Sequence, residues 1–118
     1  MSALFGKKIL IVEDEFLVAL MAEGALAEQG VAVLGPAANA ADALKLVEAG
    51  APDAVLLDLN LNGVRSDAVA AALRKSRTPF LLATGYGANP GGGFTEPVLE
   101  KPYTEDQLVA ALERLLSA

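Results

Sequence analysis

The sequence predicts an α/β fold: a doubly wound, five-stranded parallel sheet with helices on both faces. Three observations lead there. Five short, β-branched apolar runs punctuate the chain, and longer stretches with helical spacing separate most of them. Strand, helix, strand in repetition builds a parallel sheet with right-handed crossovers. A length of 118 residues suits one compact domain over 1–118, and 53% apolar content can fill its core.

The predicted strands are Lys8 to Val12, Val31 to Leu34, Ala54 to Leu57, Phe80 to Ala83 and Pro97 to Glu100. Leu17, Leu20 and Gly24 line one face of a first helix that runs to about Gln29, with Gly30 as its stop. Two alanine-rich helices follow, Ala40 to Ala49, ended by Gly50 before Pro52, and Asp67 to Lys75. The last helix carries Leu108, Val109, Leu112, Leu115 and Leu116 as one apolar stripe. Thr104 and Gln107 form a capping box at its start.

One segment breaks the rhythm. Gly85-Tyr86-Gly87-Ala88-Asn89-Pro90-Gly91-Gly92-Gly93 stands where a fourth helix belongs, with five glycines and a proline in nine residues. Each glycine costs a helix about 1 kcal/mol and an interior proline about 3. A mobile loop or a single helical turn is expected there.

Composition removes several chemistries. With no cysteine and no histidine, thiol nucleophiles, Ser-His-Asp triads, and Cys or His metal ligands are all excluded. A net charge of −6 without a basic stripe argues against nucleic-acid binding. No apolar run approaches the roughly 18 residues of a membrane span, and Met1 to Gly6 lacks a basic leader region. A cytoplasmic protein is expected.

What remains is carboxylate, lysine and hydroxyl chemistry. In an open parallel sheet, ligands bind at the carboxyl ends of the strands. Glu13 and Asp14 follow the first strand, Asp58 ends the third, Thr84 the fourth, and Lys101 follows the fifth. Singly, each has an ordinary reading as a helix start, a strand end or a surface lysine. Together they put two or three carboxylates, a hydroxyl and an ammonium in one small space. Crowded carboxylates call for a cation, and an oxygen-only donor set calls for Mg²⁺ or Mn²⁺. Phosphoryl transfer fits: Asp58 as nucleophile, the metal and Lys101 as positive charge, Thr84 as a hydrogen-bond donor.

These residues lie in four motifs, Ile9-Leu10-Ile11-Val12-Glu13-Asp14-Glu15, Val55-Leu56-Leu57-Asp58-Leu59-Asn60, Ala83-Thr84-Gly85 and Lys101-Pro102-Tyr103. In order and spacing they resemble the response-regulator receiver domains of bacterial two-component signalling, over essentially the whole chain. The resemblance implies a flavodoxin-like fold with strand order 2-1-3-4-5 and Asp58 as phosphoacceptor for a sensor histidine kinase or histidine phosphotransfer protein. It also implies Glu13 and Asp14 as the acidic pair, Asn60 as a carbonyl metal ligand, Thr84 as the switch hydroxyl and Lys101 as a phosphoryl contact. Such a chain is no enzyme in its own right; it assists its own phosphorylation and dephosphorylation, and passes the signal to a downstream protein.

Three departures from the family pattern stand out. Val98 occupies the position of a switch aromatic, Leu61-Asn62-Gly63 lacks the usual proline, and the span from Thr84 to Lys101 is short. Together with Pro79-Phe80-Leu81-Leu82-Ala83-Thr84-Gly85-Tyr86 they resemble the FATGUY subgroup of single-domain receivers, with Leu82 in place of its phenylalanine. That likeness implies an alphaproteobacterial source, a stress-signalling kinase as donor and Tyr86 as a substitute switch residue. Other readings fare worse. A dinucleotide site needs a glycine-rich first turn, which Glu13-Asp14-Glu15 is not. A haloacid-dehalogenase-type phosphatase needs an acid where Asn60 stands. The rival that keeps the fold is a pseudo-receiver, a binding module that works without phosphorylation.

Overall fold

The computed structural model describes residues 2–85 and 94–117. Their elements run β1 (Lys8–Val12), α1 (Phe16–Glu28), β2 (Ala32–Ala37), α2 (Ala40–Gly50), β3 (Ala54–Asp58), β4 (Asn60–Leu61), β5 (Val64–Arg65), α3 (Asp67–Lys75), β6 (Phe80–Thr84), β7 (Val98–Glu100) and α4 (Glu105–Ser117). Five strands form one parallel sheet in the order β2-β1-β3-β6-β7. With the small antiparallel β4–β5 hairpin set aside, this is the expected 2-1-3-4-5 order. Of the expected loop or short fourth helix over 85–93, all but Gly85 lies outside the described residues, Tyr86 included.

The apolar runs are continuous because the sheet is covered on both sides. Ile9 and Ile11 of β1, Leu56 of β3 and Leu81 of β6 pack towards α1 and α4, against Ala22, Leu26, Leu108 and Leu112. Their neighbours Leu10, Val12, Val55, Leu57 and Leu82 face α2 and α3, against Ala43, Val69, Ala70 and Leu73. The two-residue alternation of strands sorts one run into two cores.

Helix ends follow the sequence signals, with one exception. At the end of α1, Gly30 N–H bonds Ala27 O at 3.0 Å and Val31 N–H bonds Leu26 O at 3.1 Å. With Gly30 at φ 80°, that is a Schellman close. In the capping box of α4, Thr104 N–H donates to Gln107 Oε1 at 2.8 Å, and Gln107 N–H to Thr104 Oγ1 at 3.1 Å. Gly50, expected as the stop of α2, is instead its last helical residue, and Ala51 takes the left-handed turn at φ 44°. The glycine is there for space: a Cβ would meet Leu34 Cδ1 at 2.8 Å.

Two further expectations change. β2 does not end at Leu34 but continues to Ala37 through a register shift opposite Leu10 and Val12. Gly35, at φ 85°, allows it by bringing backbone against Ile11 O, where a Cβ would stand at 2.8 Å. The face of α1 carrying Leu17, Leu20 and Gly24 points outward, while Ala19, Ala22, Ala25 and Leu26 are buried. Small alanines let the helix lie close to the sheet beside Leu26, and Phe16, Leu17 and Leu20 are left outside.

Candidate functional site

The sheet alternation also builds the site. Glu13 continues the phase of Ile9 and Ile11, Asp58 that of Leu56, and Lys101 that of Leu99, all on the α1–α4 side. Past the carboxyl ends of β1, β3 and β7 these three side chains therefore converge. Glu13 and Asp58 are buried, and a carboxylate oxygen from each lies within 4.8 Å of one another and of one from half-buried Asp14.

Lys101 is the hub. Its Nζ lies 2.8 Å from Glu13 Oε1, 2.9 Å from Asp58 Oδ2 and 3.1 Å from Glu15 Oε1. The other Asp58 oxygen, Oδ1, accepts the Asn60 N–H at 3.1 Å. Glu13 Oε2 accepts the Glu15 N–H at 3.0 Å, which ties the acidic turn to the start of α1. Asn60 Oδ1 in turn accepts the Gly63 N–H at 2.8 Å and closes the hairpin turn after β3.

Electrostatics follow from this crowding. Burial pushes the Glu13 carboxyl up to about 7, against the hydrogen bonds from Lys101 and the Glu15 amide that pull it down. Burial alone would lower Lys101, but its bonds to Glu13 and Asp58 outweigh that and hold it above its ordinary value. A protonated lysine among several carboxylates still leaves net negative charge, as a divalent cation site requires. An all-oxygen set of Glu13, Asp14 and Asp58 fits Mg²⁺ or Mn²⁺.

Thr84 is buried at the end of β6, where its carbonyl accepts the Lys101 N–H at 2.8 Å. It is in phase with Phe80 and Leu82, the opposite side from Asp58. The expected site residues thus come together at one end of the sheet, with Thr84 joined to Lys101 through backbone. Val98 packs partly buried against the α2–α3 core. Three contributors were not foreseen. Glu15 is the third carboxylate on Lys101, Ser66 Oγ donates to Asp58 O at 2.6 Å, and buried Tyr103 has a hydroxyl with no hydrogen-bond partner among the described residues. Burial raises the Tyr103 phenol to about 12. Glu15 was legible as a third acid in one turn; Ser66 reads only as a helix cap.

Beside Lys101 a groove of ≈ 320 Å³ opens between α1 and the turn after β7, lined by Glu15, Val18, Met21, Gly85, Pro102 and Tyr103. A family model for the response regulator receiver domain matches residues 9–113. The chain belongs to the response-regulator receiver family. This receiver is 37% identical over 117 residues to the transcriptional regulatory protein TcrA of Mycobacterium tuberculosis H37Rv, covering 93% of this chain and 46% of that protein. It therefore spans about half the length of that curated relative. Among solved structures, SdrG from Sphingomonas melonis Fr1 is 42% identical with a TM-score of 0.79, over 98% of this chain and 99% of that one. The response regulator PhyR from Brucella abortus superposes with a TM-score of 0.82 at 30% identity, over 94% of this chain and 48% of that one. Receivers of two-component systems are bacterial phosphoacceptors rather than stand-alone enzymes, and they generally bind Mg²⁺ at an acidic cluster such as this one. Among the described residues no helix is long and apolar enough to cross a membrane.

Proposed function

We propose that this receiver accepts a phosphoryl group on Asp58 and thereby switches its contacts with a downstream protein. The observation that carries the reading is the Lys101 ammonium at 2.9 Å from Asp58 Oδ2, beside three carboxylates that can share a cation. The donor is the phosphohistidine of a cytoplasmic sensor kinase or of a histidine phosphotransfer protein. An Asp58 oxygen attacks phosphorus, the bond from phosphorus to the imidazole nitrogen breaks, and the imidazole leaves with its electron pair. Lys101, already on Asp58, pairs with the phosphoryl oxygens, and Thr84 turns from the opposite side of the sheet to donate a hydrogen bond to them. Glu13, Asp14, Asp58 and the Asn60 carbonyl would hold Mg²⁺, which when bound neutralises charge on the transferred group.

The donor's docking surface adjoins the site. Glu15, bonded to Lys101, is the cap residue of α1, and the first turns of that helix expose Phe16 by 75%, Leu17 by 75% and Leu20 by 51%. Large apolar side chains at such exposure, beginning at the mouth of the reaction site, suit burial against an apolar face of the phosphodonor.

Incubation with Mg²⁺ and acetyl phosphate, followed by intact-mass measurement, tests the reading. One phosphoryl group per chain is expected, and none on Asp58→Asn. No mass gain, with no spectral change on adding beryllofluoride, would leave the phosphorylation-independent binding module as the better account.

A further inference from the structure

Ser66 stands at the cap position of α3, directly after the β4–β5 hairpin. A serine there ordinarily turns its hydroxyl to an N–H of the first helical turn. Ser66 makes no such side-chain bond. Its side chain is wholly buried, and its hydroxyl donates instead to the Asp58 carbonyl at 2.6 Å. Its N–H donates to the next carbonyl, Leu59 O, at 2.9 Å. The peptide between Asp58 and Leu59 is thereby held at both ends, because the Leu59 N–H donates to Ala83 O of β6 at 3.0 Å.

We infer that Ser66 is a positioning residue for the phosphoacceptor, acting through the Asp58 carbonyl. The inference rests on the reading of Asp58 as phosphoacceptor. Physically, the peptide that Ser66 clamps sets two things together. It fixes the backbone from which the Asp58 carboxylate projects, and it fixes the path to Asn60, whose N–H meets Asp58 Oδ1 at 3.1 Å. Without the hydroxyl this peptide gains freedom to rotate, and nucleophile and Asn60 shift as a unit. In-line transfer is sensitive to ångström-scale misplacement, so the loss shows as rate. A serine acting only as packing or as a helix cap would change stability and leave the rate of folded protein alone.

The test compares wild type, Ser66→Ala and Ser66→Thr, each at a temperature where circular dichroism shows it folded. Acetyl-phosphate labelling is timed, and Mg²⁺ affinity is read from the amide resonances of Asp58 and Asn60. Ser66→Ala is expected to label about tenfold more slowly and to bind Mg²⁺ more weakly, while Ser66→Thr, which keeps the hydroxyl, regains most of the rate. Ser66→Gly, which also retains the backbone N–H, replaces Ser66→Ala if that variant does not fold. Unchanged labelling and Mg²⁺ affinity in the folded hydroxyl-less variant would overturn the inference, whatever the melting temperature. So would a folded Ser66→Thr as slow as Ser66→Ala. A wild type that takes no label would instead remove the phosphoacceptor reading, and this inference would be lost with it.

Discussion

The carboxyl ends of β1 and β3 and the start of β7 are held by different physics. At the first, buried Asp58 is bonded through both carboxylate oxygens and its carbonyl, to the Asn60 backbone, half-buried Lys101 and buried Ser66. At the second, the chain entering the edge strand is held by surface contacts to α3. Arg74 pairs with Glu96 at 2.8 Å and stacks 4.9 Å from the Phe94 ring, which Arg65 approaches at 5.9 Å. Buried polar bonds are costly to leave unmade, so the acceptor end is rigid. Exposed ion pairs and cation–π contacts are worth little each and exchange readily with water. The phosphoryl switch proposed for this receiver needs both: an end that does not move while chemistry occurs, and one that rearranges cheaply afterwards. Arg65 belongs to the hairpin next to Asp58, so the two regions meet at Phe94.

The comparison breaks most visibly at Lys101. Lys101→Met should cut acetyl-phosphate labelling about a hundredfold, the scale of losing one preorganised charge partner. Mg²⁺ should bind the same variant more tightly, because the competing ammonium is gone; a metal titration beside the labelling time course reads both. Equal labelling would mean that the lysine hub is structural only.

A smaller, partner-specific effect is expected on α1. Leu17→Glu combined with Leu20→Glu should slow transfer from a phosphorylated kinase about tenfold while leaving acetyl-phosphate labelling unchanged. Both side chains are more than half exposed, so the melting temperature should hardly move. Equal loss with both donors would place the damage in the acceptor site rather than at the docking face.

The smallest effect belongs to the surface contacts. Arg74→Ala should lower the melting temperature by a few degrees at neutral pH and leave Asp58 labelling intact. The hydrogen bond from Arg74 holds Glu96 below its ordinary 4.5, so the pair adds stability above that pH. The contribution fades as pH falls through the lowered value. Urea midpoints of wild type and variant should therefore converge in acid, once the pH has fallen through the lowered Glu96 value. A gap that persists into acid would assign the loss to Phe94 packing instead.

How much could be read in advance varied by residue. The strand runs and the capping box of Thr104 and Gln107 were legible because they are local: period, propensity and spacing act over a few residues. So was the convergence of Glu13, Asp58 and Lys101, since strand ends in a parallel sheet meet at one edge. Sequence alone makes Gly50 a helix stop and ends the second strand at Leu34, whereas Gly50 and Gly35 each answer to a distant neighbour, Leu34 or Ile11. Leu17 and Leu20 formed a correct stripe whose direction spacing could not supply, since α1 is apolar on both sides. Ser66 carries no expectation from sequence, because its acceptor lies eight residues back, across a hairpin.

By itself, then, the sequence determined the succession of the sheet strands and helices, the exclusion of thiol and imidazole chemistry, and the carboxylates, hydroxyl and lysine that stand at the strand ends. Those are matters of composition and short-range pattern. Tertiary structure decided that one lysine serves three carboxylates, that the apolar face of α1 lies open at the mouth of the site, and that the Ser66 hydroxyl bonds the Asp58 carbonyl rather than its own helix. Each depends on distances between segments far apart in the chain, and such distances exist only once the sheet has brought the strand ends together.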